Sequence, residues 1–177
     1  MKLDAQGWLS GVRKILSPNF DPRPHGMPIS MLIIHSISLP PNEFGGKGIE
    51  QLFTNAMNHE EHPYFEQLRG LKVSSHFLIR RNGEIIQFIP CLQRAWHAGA
   101  SLWQGRTRCN DFSIGIEMEG SDYVPYENAQ YRRLIYLTRR LQRTYHIIDI
   151  VGHEDVAPER KTDPGPHFDW KRFLNSL

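Results

Sequence analysis

The stretch MLIIHSIS, residues 31–38, is a short apolar run that ends in polar residues. This pattern is typical of a buried central strand, because a strand covered on both faces is apolar along most of its length. His35 lies at the carboxyl end of the run. Since ligand sites are often built where strands end, the stretch predicts a central strand with a candidate functional histidine.

Three further segments have strand patterns. FSIGIEMEG (112–120) alternates, with Ile114, Ile116 and Met118 on a predicted core face and Glu117 and Glu119 on the other. KVSSHFLIRRNGEIIQFIP (72–90) holds two runs around Asn82-Gly83, which predicts a hairpin. IDIVGH (148–153) is a second short apolar run that leads to a histidine, His153.

Helical periodicity separates these strands, so the sequence predicts a mixed α and β fold. Each of three sets of apolar residues forms one stripe on a helix. The sets are Ile49, Leu52, Phe53, Ala56 and Met57; Tyr131, Leu134, Ile135, Leu141 and Tyr145; and Trp170, Phe173, Leu174 and Leu177.

Length and composition predict one soluble globular domain over residues 1–177. The chain is 40% hydrophobic and 23% charged, and no apolar run approaches the roughly 18 residues that a membrane span needs. The start, MKLDAQGWLSGVRKIL, lacks the continuous apolar stretch of a secretory signal, so we expect a cytoplasmic protein. Cys91 and Cys109 are separated singletons, which indicates reduced, structural thiols.

Charge predicts no nucleic-acid partner. The chain has 21 basic and 19 acidic residues, a net charge of +2, which argues against a general polyanion binder. The arginine-rich run YRRLIYLTRRLQR (131–143) is interpreted as the solvated face of a helix. We also expect no membrane partner and a monomeric chain.

The loop GHEDVAPERKTDPG (152–165) concentrates ionisable residues between two glycines. A catalytic zinc takes three histidine or carboxylate ligands and leaves one position open. His153 and Asp163 lie ten residues apart in this loop, whose prolines disfavour regular structure, and His35 could complete the set. No local zinc motif supports this, because HEDVA lacks the second histidine of H-E-x-x-H and HEEH (59–62) spaces its histidines by three.

Each of these residues also has a purely structural interpretation. Histidines at strand ends are often hydrogen-bonded structural groups, an aspartate before proline is ordinarily a turn residue, and strand glutamates and a loop lysine usually face solvent. Two other histidines could be ligands, structural groups or substrate contacts: His76 and His97. The residues alone therefore indicate a candidate metal hydrolase and no more.

Four segments resemble the 1,6-anhydro-N-acetylmuramyl-L-alanine amidases, zinc amidases of the amidase_2 and peptidoglycan-recognition type. The resemblance extends from about Gly7 to Phe173 and implies a central mixed β-sheet flanked by helices, with zinc at one end. The segments are IIHSISLPPNEFGG (33–46), RAWHAG (94–99), CNDFSIGIEMEG (109–120) and GHEDVAPERKTDPGPHFDW (152–170).

The resemblance also implies roles for individual residues. His35, His153 and Asp163 correspond to the ligands of one Zn²⁺ per chain. Glu117 corresponds to the carboxylate that removes a proton from the attacking water and passes one to the leaving amine. Lys161 corresponds to the residue that stabilises the oxyanion. Glu119, nearer the strand end, is expected to have a supporting or solvent-exposed role.

The implied substrate contacts are Ser36, Lys72, Trp96 and Arg108. Close relatives carry asparagine where this chain has Ser36 and arginine where it has Lys72, and lysine keeps the charge but loses the guanidinium fork. These changes concern muropeptide binding and leave the three implied metal ligands unaltered.

The implied activity is zinc-dependent hydrolysis of the amide between the lactyl group of anhydro-N-acetylmuramic acid and L-alanine. Such an enzyme would serve cytosolic peptidoglycan recycling and limit the muropeptide signals that induce β-lactamase. Two alternatives are a binding module of the same fold that has lost zinc and a structural protein with incidental histidines. A binding module typically replaces a ligand, whereas all three implied ligand positions are filled here.

Overall fold

The computed structural model describes residues 2–177, which form ten strands and four α-helices. Short 3₁₀-helices occupy Pro63–Leu68 and Cys109–Asp111. The strands are β1 (Arg13–Lys14), β2 (Phe20–Pro22), β3 (Met31–Ile37), β4 (Phe77–Ile79), β5 (Ile85–Gln87), β6 (Gln93–Ala95), β7 (Leu102–Trp103), β8 (Arg106–Thr107), β9 (Ser113–Glu119) and β10 (Asp149–Gly152), and the helices are α1 (Gly48–Phe53), α2 (Asn128–Thr144), α3 (His153–Val156) and α4 (Trp170–Leu174).

Six of the strands form a central mixed sheet in the order β1-β5-β4-β9-β3-β10. The pairs β3–β10, β3–β9 and β4–β9 are parallel, whereas β4 and β5 are antiparallel. The predicted central mixed sheet with flanking helices is confirmed. Because β3, β4, β9 and β10 run in one direction, their carboxyl ends lie along one edge of the sheet, and residues that follow them meet there.

Both faces of the sheet are covered. On one face, leucines of α2 pack against β3 and β9 through Leu32, Ile34, Ile114 and Ile116. On the other face, α1 and the 3₁₀-helix Pro63–Leu68 pack over β4 and β5. Every residue of β9 is therefore buried, so the alternative interpretation of Glu117 and Glu119 as solvent-facing strand residues is wrong.

The hairpin predicted around Asn82-Gly83 is present between β4 and β5. Its turn is closed by two backbone hydrogen bonds, from Arg80 N–H to Glu84 O at 2.9 Å and from Gly83 N–H to Arg80 O at 2.8 Å. Only Gly83 of the dipeptide has a positive φ, +86°. One glycine in the left-handed region is enough for a three-residue hairpin loop.

The helical predictions differ in how far they extend. α2 contains Tyr131, Leu134, Ile135 and Leu141 of its predicted stripe but ends at Thr144, before the predicted Tyr145. Arg132, Arg133, Arg139 and Arg143 lie exposed on α2, as the solvated-face interpretation predicts. α1 ends at Phe53, before the predicted Ala56 and Met57, because Asn55 adopts a left-handed φ of +58° just beyond the helix. α4 likewise ends at Leu174, before Leu177.

The loop 152–165 contains one regular element that its prolines and polar residues did not predict. Its first residues form the single-turn helix α3, which begins with His153 directly after β10. Cys91 and Cys109 are free, buried thiols, as predicted. Within residues 2–177, none of the helices has the length and apolar character needed to cross a membrane.

Candidate active site

Three side chains from distant parts of the chain converge at the carboxyl edge of the sheet. His35 belongs to β3, and His153 follows β10, the parallel neighbour of β3. Asp163 returns to the same point because its carbonyl accepts a backbone hydrogen bond from Glu154 N–H at 2.9 Å. Parallel pairing therefore positions the two histidines, and a closed loop positions the aspartate.

The spacing of the three potential ligand atoms fits one metal ion. His35 Nδ1 lies 3.0 Å from His153 Nδ1 and 3.2 Å from Asp163 Oδ2, and His153 Nδ1 lies 3.1 Å from the same oxygen. Ligands about 2.0 Å from a tetrahedral zinc lie about 3.3 Å from one another. His35, His153 and Asp163 form the one cluster of histidine, cysteine or carboxylate groups in residues 2–177 with metal-site spacing.

The hydrogen bond of His153 gives a chemical reason for a cation at this point. Its Nε2 lies 3.1 Å from the carbonyl oxygen of Ala98, which can only accept a hydrogen bond. Nε2 therefore carries the proton in the neutral ring, and the lone pair of Nδ1 is directed towards the carboxylate oxygen of Asp163. Two lone pairs 3.1 Å apart repel unless a cation lies between them, so the donor set fits a metal.

Burial keeps His35 ready to act as a ligand. Desolvation lowers the pKa of His35 to about 4, and the side chain is 2% exposed. The imidazole is therefore neutral near pH 7, which is the form that binds metal ions.

Glu117 lies beside the cluster, on β9. Its pKa is raised well above 4.5, first by burial and then by the negative charge of Asp163, while the positive charge of Lys161 acts in the opposite direction. A buried carboxyl group whose pKa is raised and that adjoins three potential metal ligands is a candidate for proton transfer.

A cavity of about 350 Å³ opens over this cluster. Ser36, Trp96, Glu117 and Lys161 line it together with the three potential ligands, and its apolar part includes Leu52, Phe53, Tyr64 and Leu71. A pocket with apolar walls and a few converging polar groups is typical of a small-molecule site. Tyr64 was not predicted, since nothing in its local pattern distinguishes it from other half-buried aromatic residues.

Two predicted substrate contacts do not line this cavity. Arg108 is exposed, and its guanidinium pairs with Asp111 at 3.2 Å. Lys72 lines a smaller neighbouring cavity of about 180 Å³, which shares Leu52, Leu68 and Leu71 with the first. If Lys72 or Arg108 contacts a substrate, it contacts a part of the substrate that lies away from the three potential metal ligands.

Glu119 has a structural role that its sequence position did not reveal. Its side chain is 1% exposed and accepts hydrogen bonds from Arg80 Nη1 at 2.7 Å and from Gly45 N–H at 2.7 Å. Of the two expected roles of Glu119, the solvent-exposed one is therefore wrong. Glu119 ties the end of β9 to the loop that follows β3.

The two histidines left open by the sequence have different surroundings. His97 Nδ1 lies 2.9 Å from His35 Nε2, so His97 contacts the ring nitrogen of His35 that does not face His153 and Asp163. His76 Nδ1 instead accepts a hydrogen bond from Gly115 N–H, and its Nε2 lies 3.1 Å from Gln93 O. His76 thus stabilises backbone, and local spacing could not separate these two roles.

Comparisons with known proteins agree with this geometry. The sequence model of the Amidase_2 family, N-acetylmuramoyl-L-alanine amidase, matches residues 25–166. The 1,6-anhydro-N-acetylmuramyl-L-alanine amidase AmpD of Escherichia coli K12 is 54% identical over 170 residues, covering 95% of this chain and 93% of that protein.

Two solved structures extend the comparison to three dimensions. A crystal structure of a selenomethionine AmpD derivative superposes with a TM-score of 0.97 at 52% identity, covering 100% of this chain and 99% of the other. The Escherichia coli amidase AmiD, solved with anhydro-N-acetylmuramic acid-L-Ala-D-γ-Glu-L-Lys, has a TM-score of 0.61 at 35% identity, covering 86% of this chain and 59% of AmiD. The chain therefore belongs to the Amidase_2 family, the N-acetylmuramoyl-L-alanine amidases.

Proposed function

We propose that this amidase hydrolyses the bond between the lactyl group of 1,6-anhydro-N-acetylmuramic acid and L-alanine in muropeptides, with one zinc ion held by His35, His153 and Asp163. The observation that carries the proposal is the convergence of their three ligand atoms at separations of 3.0–3.2 Å. The names of the relatives with about half their residues identical supply the substrate.

The residues around the three zinc ligands have different roles in amide hydrolysis. Zinc, when bound, supplies a Lewis acid that polarises the substrate carbonyl and makes a water molecule more acidic. Glu117 removes a proton from the attacking water and delivers one to the departing amine of L-alanine. Lys161 places an ammonium group in the cavity, where it stabilises the negative charge that develops on the carbonyl oxygen.

The charges at the centre support this assignment. Asp163 contributes one negative charge and the two neutral histidines contribute none, so a divalent cation held by them keeps a net positive charge. This charge also favours the ionised form of Glu117 and opposes the pKa increase that burial and Asp163 produce. A divalent cation at this site would therefore favour the form of Glu117 that can accept a proton.

The proposed substrate contacts fall into two groups, one that lines the cavity over the zinc ligands and one that lies outside it. Ser36 and Trp96 line the cavity and contact the muramyl group and the first peptide residues. Lys72 and Arg108 lie outside it and bind carboxylates in the more distant part of the peptide, which is consistent with their positive charge and with the exposure of Arg108.

The cellular role proposed here is cytoplasmic peptidoglycan recycling. The chain acts as a single zinc amidase domain over residues 1–177 and as a monomer, without a nucleic-acid or membrane partner. By cleaving anhydro-muropeptides, it lowers the concentration of fragments that induce β-lactamase. The exclusion of a polyanion partner is supported by the balanced composition of 21 basic and 19 acidic residues.

A combined metal and activity assay tests the proposal. Purified protein is expected to contain about one zinc per chain and to release L-alanyl peptide from a synthetic 1,6-anhydro-N-acetylmuramyl peptide, as read by mass spectrometry. Chelation should abolish turnover and added zinc should restore it. His153→Ala should lose zinc and activity, whereas His167→Ala, in an exposed part of the same region, should retain both. Full activity in protein shown to be zinc-free would refute the metal assignment.

A further inference from the structure

The Nε2 atoms of both candidate histidine ligands, which face away from the potential metal position, contact the consecutive residues His97 and Ala98. His153 Nε2 lies 3.1 Å from Ala98 O, and His35 Nε2 lies 2.9 Å from His97 Nδ1. His97 continues the chain through its own Nε2, which lies 3.2 Å from Ser113 Oγ. One partner is thus a backbone carbonyl, as is common behind metal ligands, and the other is an imidazole.

The proton positions along this chain follow from the metal geometry. If Nδ1 of His35 faces the metal, the neutral ring carries its proton on Nε2. That N–H needs an acceptor, and Nδ1 of His97 serves only when it has no proton of its own. His97 must then carry its proton on Nε2, from which it donates to Ser113 Oγ. The opposite tautomer of His97 would place two N–H groups against each other.

The position of His97 is determined by its surroundings. Its ring lies against the backbone of Gly115, where an added Cβ would come within 2.5 Å of His97 Cγ. The side-chain oxygen of Asn110 accepts hydrogen bonds from the backbone N–H groups of His97 and Ala98, at 3.2 and 2.8 Å. Asn110 and the backbone of Gly115, which has no side chain, therefore hold the acceptor atom Nδ1 of His97 in place next to His35 Nε2.

We infer that His97 is a positioning residue of the metal centre, which accepts the Nε2 proton of His35 and so directs the lone pair of His35 Nδ1 to the metal. The inference rests on the ligand set given under the proposed function. Residues that hold metal-ligating histidines in this way typically change metal affinity by about 10–100-fold when they are lost. His97 itself contributes no atom to the metal.

Two substitutions isolate the acceptor. His97→Asn keeps an acceptor oxygen near the position of Nδ1, while His97→Leu keeps a buried side chain of moderate size and has no acceptor. Zinc dissociation constants are measured by competition with a chromophoric chelator, on protein shown to be folded by circular dichroism. We expect affinity to fall about tenfold or more in His97→Leu and to stay within about threefold of wild type in His97→Asn.

His76→Leu is the matched control. It replaces another buried histidine, whose ring packs near His97 with centroids 5.7 Å apart, but His76 makes no hydrogen bond to His35. Its zinc affinity should remain near that of wild type. The inference is overturned if folded His97→Leu binds zinc as tightly as wild type, or if His97→Asn and His76→Leu lose as much affinity as His97→Leu.

A measurement on the wild-type protein does not depend on whether the variants fold. In zinc-loaded protein, long-range ¹H–¹⁵N correlation spectra should place the protons of both His35 and His97 on Nε2. A proton on Nδ1 of His97 would overturn the inference while leaving zinc binding intact. Wild-type protein that takes up no zinc would instead refute the proposed function, and the inference with it, so the two failures are distinguishable.

Discussion

Glu117 is the direct register partner of His35 on the neighbouring parallel strand. Adjacent strands lie about 4.8 Å apart, so this pairing places the carboxylate next to a candidate metal ligand without any loop in between. We therefore expect Glu117→Gln to retain zinc and its melting temperature, because shape and hydrogen bonding are preserved. Turnover should fall about a hundredfold or more, since the proposed proton acceptor is lost. Near wild-type turnover in folded, zinc-loaded Glu117→Gln would exclude this residue as the base.

Glu119, two residues further along the same strand, should show the opposite pattern. Its carboxylate pairs with the buried guanidinium of Arg80, which keeps Glu50 as a second partner. Glu119→Gln should lower the free energy of unfolding by about 2 kcal/mol, as measured by urea denaturation, and the turnover of the folded fraction should change far less than in Glu117→Gln.

The control for this experiment is Glu66→Gln. Glu66 pairs with Arg69 on the surface, where both side chains are about 60% exposed, and exposed pairs contribute little. The free energy of unfolding of Glu66→Gln should change far less than that of Glu119→Gln. Equal effects of the two substitutions would contradict the structural role of Glu119.

Substitution of Lys161 should mainly affect turnover, whereas substitution of Lys72 should mainly affect substrate affinity. Lys161 lines the main cavity and Lys72 lines the neighbouring one. Lys161→Met should lower kcat about tenfold to a hundredfold with zinc content unchanged, because the charge proposed to stabilise the oxyanion is removed. Lys72→Met should mainly raise KM. Steady-state kinetics on the anhydro-muramyl peptide distinguish the two, and a pure KM effect in Lys161→Met would argue against oxyanion stabilisation.

Asp21 is expected to contribute to stability in a pH-dependent way. Hydrogen bonding to Arg94 lowers the pKa of Asp21 below its ordinary value of 3.8, against the effect of partial burial. The folded state therefore binds this proton less readily than the unfolded chain. The stabilisation is complete above pH 3.8 and is lost as the pH falls through the lower folded pKa.

Comparison with Asp21→Asn tests the predicted direction of this pH dependence of stability. At pH 7 the variant should be less stable than wild type by about 1 kcal/mol, because the pair with Arg94 is partly exposed. The difference should shrink when denaturation is repeated well below pH 3.8, where the wild-type carboxyl group is protonated. A difference that stays constant down to acid pH would show that the charge of Asp21 is not responsible.

Several features could be predicted because their causes are local. The apolar run at Met31–Ile37 and the alternation along Ser113–Glu119 are strands in the structure, since side-chain periodicity depends only on neighbouring residues. The Asn82-Gly83 hairpin follows from the backbone freedom of one glycine. The end of α1 was missed because the left-handed turn at Asn55 interrupts a stripe that continues in the sequence to Met57.

The sequence by itself determined which residue types are available at the strand ends, and resemblance to a family assigned them roles. Only the tertiary structure brought His35 and His153, 118 residues apart, to 3.0 Å, because that separation depends on β3 and β10 being parallel neighbours. It also separated chemically similar residues: Glu117 faces the cluster while Glu119 pairs with Arg80, and His97 contacts His35 while His76 holds backbone. Such differences arise from long-range strand pairing and burial, to which short-range sequence patterns are insensitive.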